Sequence, residues 1–336
     1  MRALPRSLVF FLVTGIVMLL QMIPIVGIFL MVMLAMFWSV LLINAGMIGI
    51  IFEAATHRVS RWWLVLPTVF YGGYYAVALS EHIMLARLGA SYQAANSTIS
   101  IPFDHSRQVL VLRGDNWGDV LVTSYGLPLQ YEATGTTHAT YRSIRLAPRP
   151  MCARIEDSDA LIEAGFRQNK IYDGSGLSLA DRTVDARVCV LTAPGGPKQP
   201  TVTAERLEER DLYGSMPIKR VRTFVRAADG GRFELLGGRA APLSWFPLPV
   251  FGCALVSSVA EWQCDALFWR NIFTPILPGR SYGGPDTSAL AKSLGLMMKA
   301  PGERQPYATR ELEAQMLQAE QIGRKSASRV QLEPAM

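Results

Sequence analysis

The chain has 336 residues, 50% of them hydrophobic and 18% charged, against roughly 25% charged in an average soluble domain, and its mean hydropathy is +0.21. Half of the net charge of +6 comes from Arg2, Arg6, Arg58 and Arg61 against Glu53, all flanking apolar segments, and the rest is spread thinly. That distribution excludes a nucleic-acid-binding face, which needs one basic patch interleaved with aromatics, and points to a membrane protein. Arginine far exceeds lysine, and alanine and glycine are abundant, as in proteins of GC-rich bacterial genomes.

From Ser7 to Phe52 there is no Asp, Glu, Lys, Arg or His. A membrane-spanning helix needs about 20 apolar residues, so a run more than twice that long predicts two spans. Pro24 and Gly27 supply the break, placing span 1 near 7–23 and span 2 near 28–51; a single kinked or re-entrant segment is the alternative. A third span is expected over 62–79, opening on Trp62 and Trp63 and carrying Tyr71, Tyr74 and Tyr75, residues that favour the membrane interface. Small residues allow close helix approach. Ala45, Gly46 and Gly49 in span 2, with Gly72 and Gly73 in span 3, are therefore candidate packing positions, for this chain or for an oligomer. Thr14, Gln21, Ser39, Asn44 and Thr68 are polar residues inside the three spans. With no charge or repeat among them, a transporter or channel subunit is the weakest reading.

The arginines set the orientation. Arg2 and Arg6 precede span 1, and Arg58 and Arg61 lie between spans 2 and 3. The N-terminus and the 53–61 loop are expected in the cytoplasm, and everything after about residue 80 in the periplasm of an inner-membrane protein. The apolar opening is too long, and runs too directly into span 2, for a cleaved signal peptide. Cys152, Cys189, Cys253 and Cys264 all fall on the side assigned as oxidising. Three pairings are open to two bridges. Sequence proximity favours Cys152–Cys189 and Cys253–Cys264, and four buried thiols are the alternative. No Cys-x-x-Cys spacing exists and the histidines lie near none of the cysteines, so no metal site or cofactor is expected.

Residues 81–279 read as a mainly-β extracytoplasmic domain, an antiparallel sandwich or partly open barrel. Strands over 108–113 and 119–123 would form a hairpin around 114–118; further strands are expected over 137–146 and 186–192. A second hairpin joins 219–227 to 232–236 around Ala228-Asp-Gly-Gly231. One helix is expected at 158–165. The proline-rich apolar stretch 241–260 reads as an extended, buried segment of this domain, with a fourth span as the alternative. In the polar tail, 280–336, residues 309–322 have helical apolar spacing from Thr309 to a stop at Gly323. That helix needs a surface, which its own domain, a partner or the membrane interface would supply.

Catalytic motifs are absent. Asp104-His105-Ser106 holds triad residue types, yet neighbours on an extended segment point to opposite faces. The acids 156–159 lack the spacing of a calcium loop and suit a helix start. The most distinct surface feature is 219–226: on a strand, Arg220, Arg222 and Arg226 share one face while Val221 and Val225 turn inward. Such a ladder suits an anionic partner, although a solvated outer face has the same composition.

The expectation is a structural or interaction component of an envelope or secretion assembly. Its partners are the lipid bilayer and a protein or second copy, not nucleic acid. An envelope enzyme using His105, His138, Asp104 and Asp119 is the alternative.

Overall fold

The computed structural model describes residues 4–34, 38–114, 117–134, 140–173, 183–256, 261–270, 274–277 and 285–330. Chain contacts divide it into two compact units. A helical unit comprises Met1–Leu88, Asp211–Ile218 and Ala240–Thr274, and a sheet unit comprises Gly89–Arg210, Lys219–Arg239 and Pro275–Met336. The expected boundaries near 80 and 279 are contiguous in sequence, whereas these units interleave.

In the helical unit the apolar run breaks at Pro24 as expected, giving α1 (Leu8–Gln21), α2 (Pro24–Leu34) and α3 (Trp38–Ala55). A short 3₁₀ turn, Arg61–Leu64, leads into α4 (Val65–Ser97). Two helices, Trp38–Ala55 and Arg61–Ser97, are long and apolar enough to cross a membrane. Two helices therefore meet that length where three spans were expected: α1 has only 14 residues, about 21 Å at the helical rise, the stretch expected as span 2 is divided between α2 and α3, and the third helix runs well past residue 79.

Helices α1 and α3 lie antiparallel, as successive contacts demonstrate. A Cβ on Gly46 would come within 2.6 Å of the Phe11 ring, and one on Gly49 within 2.6 Å of Ser7 Cβ. At the same end, the Glu53 carboxylate accepts from the backbone N–H groups of Arg6 (2.9 Å) and Ser7 (3.0 Å). An acid there satisfies amides that a helix start leaves unpaired. Gly72 and Gly73, by contrast, would meet nothing within 4 Å among the described residues. Gly49→Val should therefore push α1 off α3 and lower the thermal midpoint in detergent, at an overpacking cost of about 1–3 kcal/mol. Gly72→Ala should be neutral or stabilising by up to about 1 kcal/mol through helix propensity. Equal losses at both positions would show that the α1–α3 contact is not what the glycine serves.

The described part of the 241–260 stretch, residues 241–256, forms no helical span and belongs to the helical unit. Within the helical unit, β9 (Pro249–Val256) pairs antiparallel with β10 (Glu261–Phe268). Strand β9 of this hairpin rests on α1, α2 and α3. The polar residues of the apolar run anchor it: Ser39 Oγ donates to Pro249 O and accepts from Phe251 N, each at 3.1 Å. Asn44 Nδ2 donates to Pro247 O (3.1 Å) and its Oδ1 accepts from Tyr71 (3.1 Å).

The sheet unit begins at β1 (Val109–Arg113), followed by the helical turn α5 (Val120–Thr123), β2 (Leu129–Thr134), β3 (Thr140–Pro148), α6 (Arg149–Glu156) and α7 (Asp159–Glu163). Then come β4 (Arg167–Asp173), β5 (Thr183–Pro194), β6 (Thr201–Tyr213), β7 (Met216–Arg226) and β8 (Arg232–Ala240). Strands β6 and β7 run from one unit into the other. The tail supplies β11 (Thr274–Pro275), α8 (Pro285–Ser293) and α9 (Arg310–Val330). One nine-stranded sheet orders them β11-β8-β7-β6-β1-β2-β3-β5-β4. Its edges are different strands, so it closes no barrel, and the helices rather than a second sheet cover it, so it is no sandwich. The β7–β8 hairpin forms as expected, while the hairpin expected at 108–123 does not. Residues 120–123 are helical, and β1 pairs parallel with both β2 and β6. The reason is legible in Val109-Leu-Val-Leu112, all four buried: a run apolar on both faces is a central parallel strand, not half of an exposed hairpin.

On one face Leu110, Leu112, Val202 and Val225 meet Leu121, Leu290 and Leu294 of α5 and the α8 end. On the other, Ala147, Cys189 and Leu191 meet α6, α7 and α9 through Ile155, Leu161, Leu312 and Met316. Gly238 allows β8 its contact with β7: its φ is +130°, and a Cβ there would strike the Lys219 carbonyl oxygen. The tail helix thus finds its surface on its own domain. It passes through Gly323, which faces Ala160 of α7, rather than stopping there.

Arg154 of α6 holds α9 by two bonds to Glu320, Nε–Oε1 at 2.7 Å and Nη2–Oε2 at 2.6 Å. The Arg154 side chain keeps the Glu320 carboxyl below its ordinary value of 4.5. A depressed carboxyl contributes stability above its unfolded pKa and loses it as pH falls through the folded one. Protection of α9 amides from exchange, relative to their intrinsic rates at each pH, should accordingly fall as pH drops below about 4.5. In Glu320→Gln the same region should exchange faster at neutral pH, without that acid step.

Candidate functional site

Both disulfides formed by sequence neighbours are present, Cys152–Cys189 in the sheet unit and Cys253–Cys264 in the helical unit. Cys152 and Cys189 are fully buried between α6 and β5. Cys253 and Cys264 face each other across β9 and β10.

In the arginine ladder of β7, Val221, Thr223 and Val225 are buried and the even-numbered positions turn outward, as the alternation predicts. Its members differ in their partners. Arg222 Nε bonds Glu234 Oε1 at 2.6 Å, and its guanidinium lies 5.1 Å from the Phe224 ring centre. Lys219 Nζ pairs with Glu208 at 3.2 Å. Arg226 instead joins Arg113 of β1 and Arg232 of β8 around a cavity of about 300 Å³, walled by Phe224, Phe233 and Thr203, with Glu205 as its one acid. Three exposed guanidinium groups against one carboxylate leave an excess of positive charge. Arg232 follows from the β7–β8 hairpin, whereas Arg113 escapes the sequence because its place beside Arg226 depends on the strand order, which puts β1 next to β6 and β6 next to β7.

A second polar centre, in the helical unit, surrounds Glu81 of α4, which is 0% exposed. Its carboxylate accepts from Ser215 Oγ (2.6 Å), Leu243 N (2.8 Å) and Arg270 Nη1 (2.8 and 3.0 Å). Arg270 also donates to the carbonyls of Ala241 (3.0 Å) and Ser215 (3.1 Å). Two turns earlier on α4, Tyr74 donates to Ser244 O (2.7 Å) and Phe246 O (3.1 Å), and His82, next to Glu81, stacks on Trp245 at 4.1 Å. All the bonding capacity of Glu81 is spent on the chain itself, so the cluster joins α4 to three distant segments.

Of the residues named for an enzyme, the described ones, Asp104, His105 and Asp119, form no shared hydrogen-bonded cluster. Asp104 is exposed and accepts from Ser106 N and Oγ at 2.9 and 2.7 Å, bonds that hold its carboxyl below its usual range. His105 is exposed, and His138 lies outside the described residues. Asp119 precedes α5, where burial raises its carboxyl pKa. Among the described residues no group of three His, Cys, Asp or Glu side chains could hold a metal ion. No family model matches the chain, and no curated protein or solved structure is significantly similar to it.

Proposed function

We propose that this chain is a multi-pass bacterial inner-membrane protein that presents its sheet unit to the periplasm, as an interaction component of an envelope or secretion assembly. One observation carries the reading. Helices α1 and α3 have an arginine-bearing end, near Arg6, Glu53 and Arg58, and an opposite end near Gln21 and Ser39. The disulfide-bonded hairpin β9–β10 is fastened at that opposite end, through Ser39 and Pro249. Arginines mark the cytoplasmic side and disulfides the oxidising side, and these independent signals fall at opposite ends of one helix pair. Helix α4, beginning after Arg61, then leads outward, so the sheet unit follows on the periplasmic side.

The excess charge of Arg113, Arg226 and Arg232 supports an acidic protein surface as the partner, because exposed guanidinium groups steer and select anionic contacts. Reporter fusions test the topology: alkaline phosphatase should be active after residues 120 and 336 and inactive after 57. Phosphatase activity at 57 with none at 120 would overturn it. Crosslinking in intact membranes, followed by isolation of the chain, tests the role. A stoichiometric partner is expected, and its recovery should fall several-fold in an Arg226→Glu/Arg232→Glu variant. Recovery of self-contacts alone, unchanged by that variant, would remove the proposed acidic partner.

A further inference from the structure

A cavity of about 180 Å³ lies on the α9 side of the sheet unit, apart from the arginine cavity. Its floor is β2 and β3, with Leu129, Tyr131, Ser143 and Arg145; the loop 194–199 and the start of α9 form its walls, with Lys198, Tyr307, Glu311 and Leu312. Arg145 is the unusual member. The residue is only 7% exposed, its Nη2 donates to Ser143 Oγ at 3.0 Å, and its Nε has no partner. No carboxylate forms an ion pair with it among the described residues. Burying a guanidinium without a counter-charge is costly, and burial pulls its pKa down, with Tyr131, Tyr307 and Glu311 acting in the opposite direction. Glu311 is committed at the mouth, where it pairs with Lys198. Ser143 Oγ has its own acceptor in Ala193 O at 3.2 Å.

We propose that this cavity binds a small monocarboxylate, its carboxylate meeting Arg145 and its apolar or aromatic body lying along Tyr131, Tyr307, Leu129 and Leu312. Charge selects the class. With Lys198 and Glu311 neutralising each other, Arg145 leaves the site one positive charge, which a monoanion cancels and a phosphate dianion would exceed. Size agrees, because the volume lies below the roughly 300–1,000 Å³ of pockets that take drug-sized ligands or nucleotides. A planar fork such as Arg145 matches a carboxylate in bidentate geometry. The Lys198–Glu311 pair, both side chains more than half exposed, stands where the ligand would enter.

The test uses the full chain in detergent with sodium benzoate as the probe and sodium phosphate and chloride as controls at matched ionic strength. Ligand-observed NMR and the thermal midpoint provide the readouts. Saturable benzoate binding with a raised midpoint is expected for the wild type. In Arg145→Met the affinity should fall at least about tenfold, the loss of one charge-assisted contact. Arg145→Met should also raise the midpoint of the ligand-free protein, since it removes a buried unpaired charge. If that variant does not fold, Lys198→Glu decides the matter: its site is exposed, and the reversed charge at the mouth should weaken benzoate several-fold. Absence of saturable binding to the wild type, equal binding by wild type and variant, or phosphate binding as tightly as benzoate would each overturn the proposal. So would a lowered ligand-free midpoint in Arg145→Met together with a still larger loss in Glu311→Gln, which would make Glu311 the internal counter-charge.

Discussion

Glu81→Ala should destabilise the helical unit by about 3–5 kcal/mol. Breaking a buried pair leaves the remaining charge uncompensated, and here the loss is wider than one pair. Arg270, the Ser215 hydroxyl and the Leu243 N–H all lose their acceptor together. The Arg270 side chain is 29% exposed, so solvent softens its share and the lower end of the range is expected. Arg270→Met should cost at least as much, because it strands a carboxylate with no exposure at all. The double variant with apolar side chains at both positions should lose less than the sum of the two. Thermal midpoints in detergent, with proteolysis at the 241–246 segment as a local readout, check the series. Additive losses would show that Glu81 and Arg270 contribute separately and that the cluster is not a single fastening.

Removing the Cys152–Cys189 bridge with a double alanine variant should cost the sheet unit about 4 kcal/mol. The bridge closes a loop with a sequence separation of 37 residues, and restriction of the unfolded chain grows with the logarithm of that length. Cys253–Cys264 closes only 11, so its loss should cost about 1 kcal/mol less on the same footing. Both alanine pairs keep small apolar groups in place of sulfur, which limits cavity effects at Cys152 and Cys189. Unfolding midpoints give the order, and alkylation before and after reduction confirms that all four thiols are bonded. Alkylation of native, unreduced protein at Cys152 or Cys189 would refute the bridge and weaken the assignment of the sheet unit to an oxidising compartment.

Several features were legible because they depend on neighbours in sequence. The break at Pro24, the β7–β8 hairpin around Asp229-Gly-Gly231 and the outward arginines of β7 follow from local backbone preference and a period of two. The disulfide partners followed from short loop lengths. The hairpin expected at 108–123 failed for a nearby reason. Gly114 and Gly118 do take positive φ, but Val120-Leu-Val-Thr123 reads equally as strand or helix when so short, and packing of Leu121 and Val122 chose the helix. Gly323 failed as a stop signal because its lack of a side chain was used to approach Ala160 instead.

What the sequence determined by itself is the class of the molecule: an apolar helical start flanked by arginines, then a β-rich remainder with paired cysteines. Charge and hydropathy are summed along the chain, so they survive without knowledge of the fold. What only the tertiary structure decided is which distant residues share a place. Parallel pairing of β1 brought Arg113 to Arg226, interleaved segments brought Arg270 and Ser215 to Glu81, and the return of α9 closed a cavity over Arg145. These contacts span from dozens to nearly two hundred residues, and no local preference encodes them. They are fixed by sheet order and helix packing, where burial of apolar surface on both faces selects one arrangement.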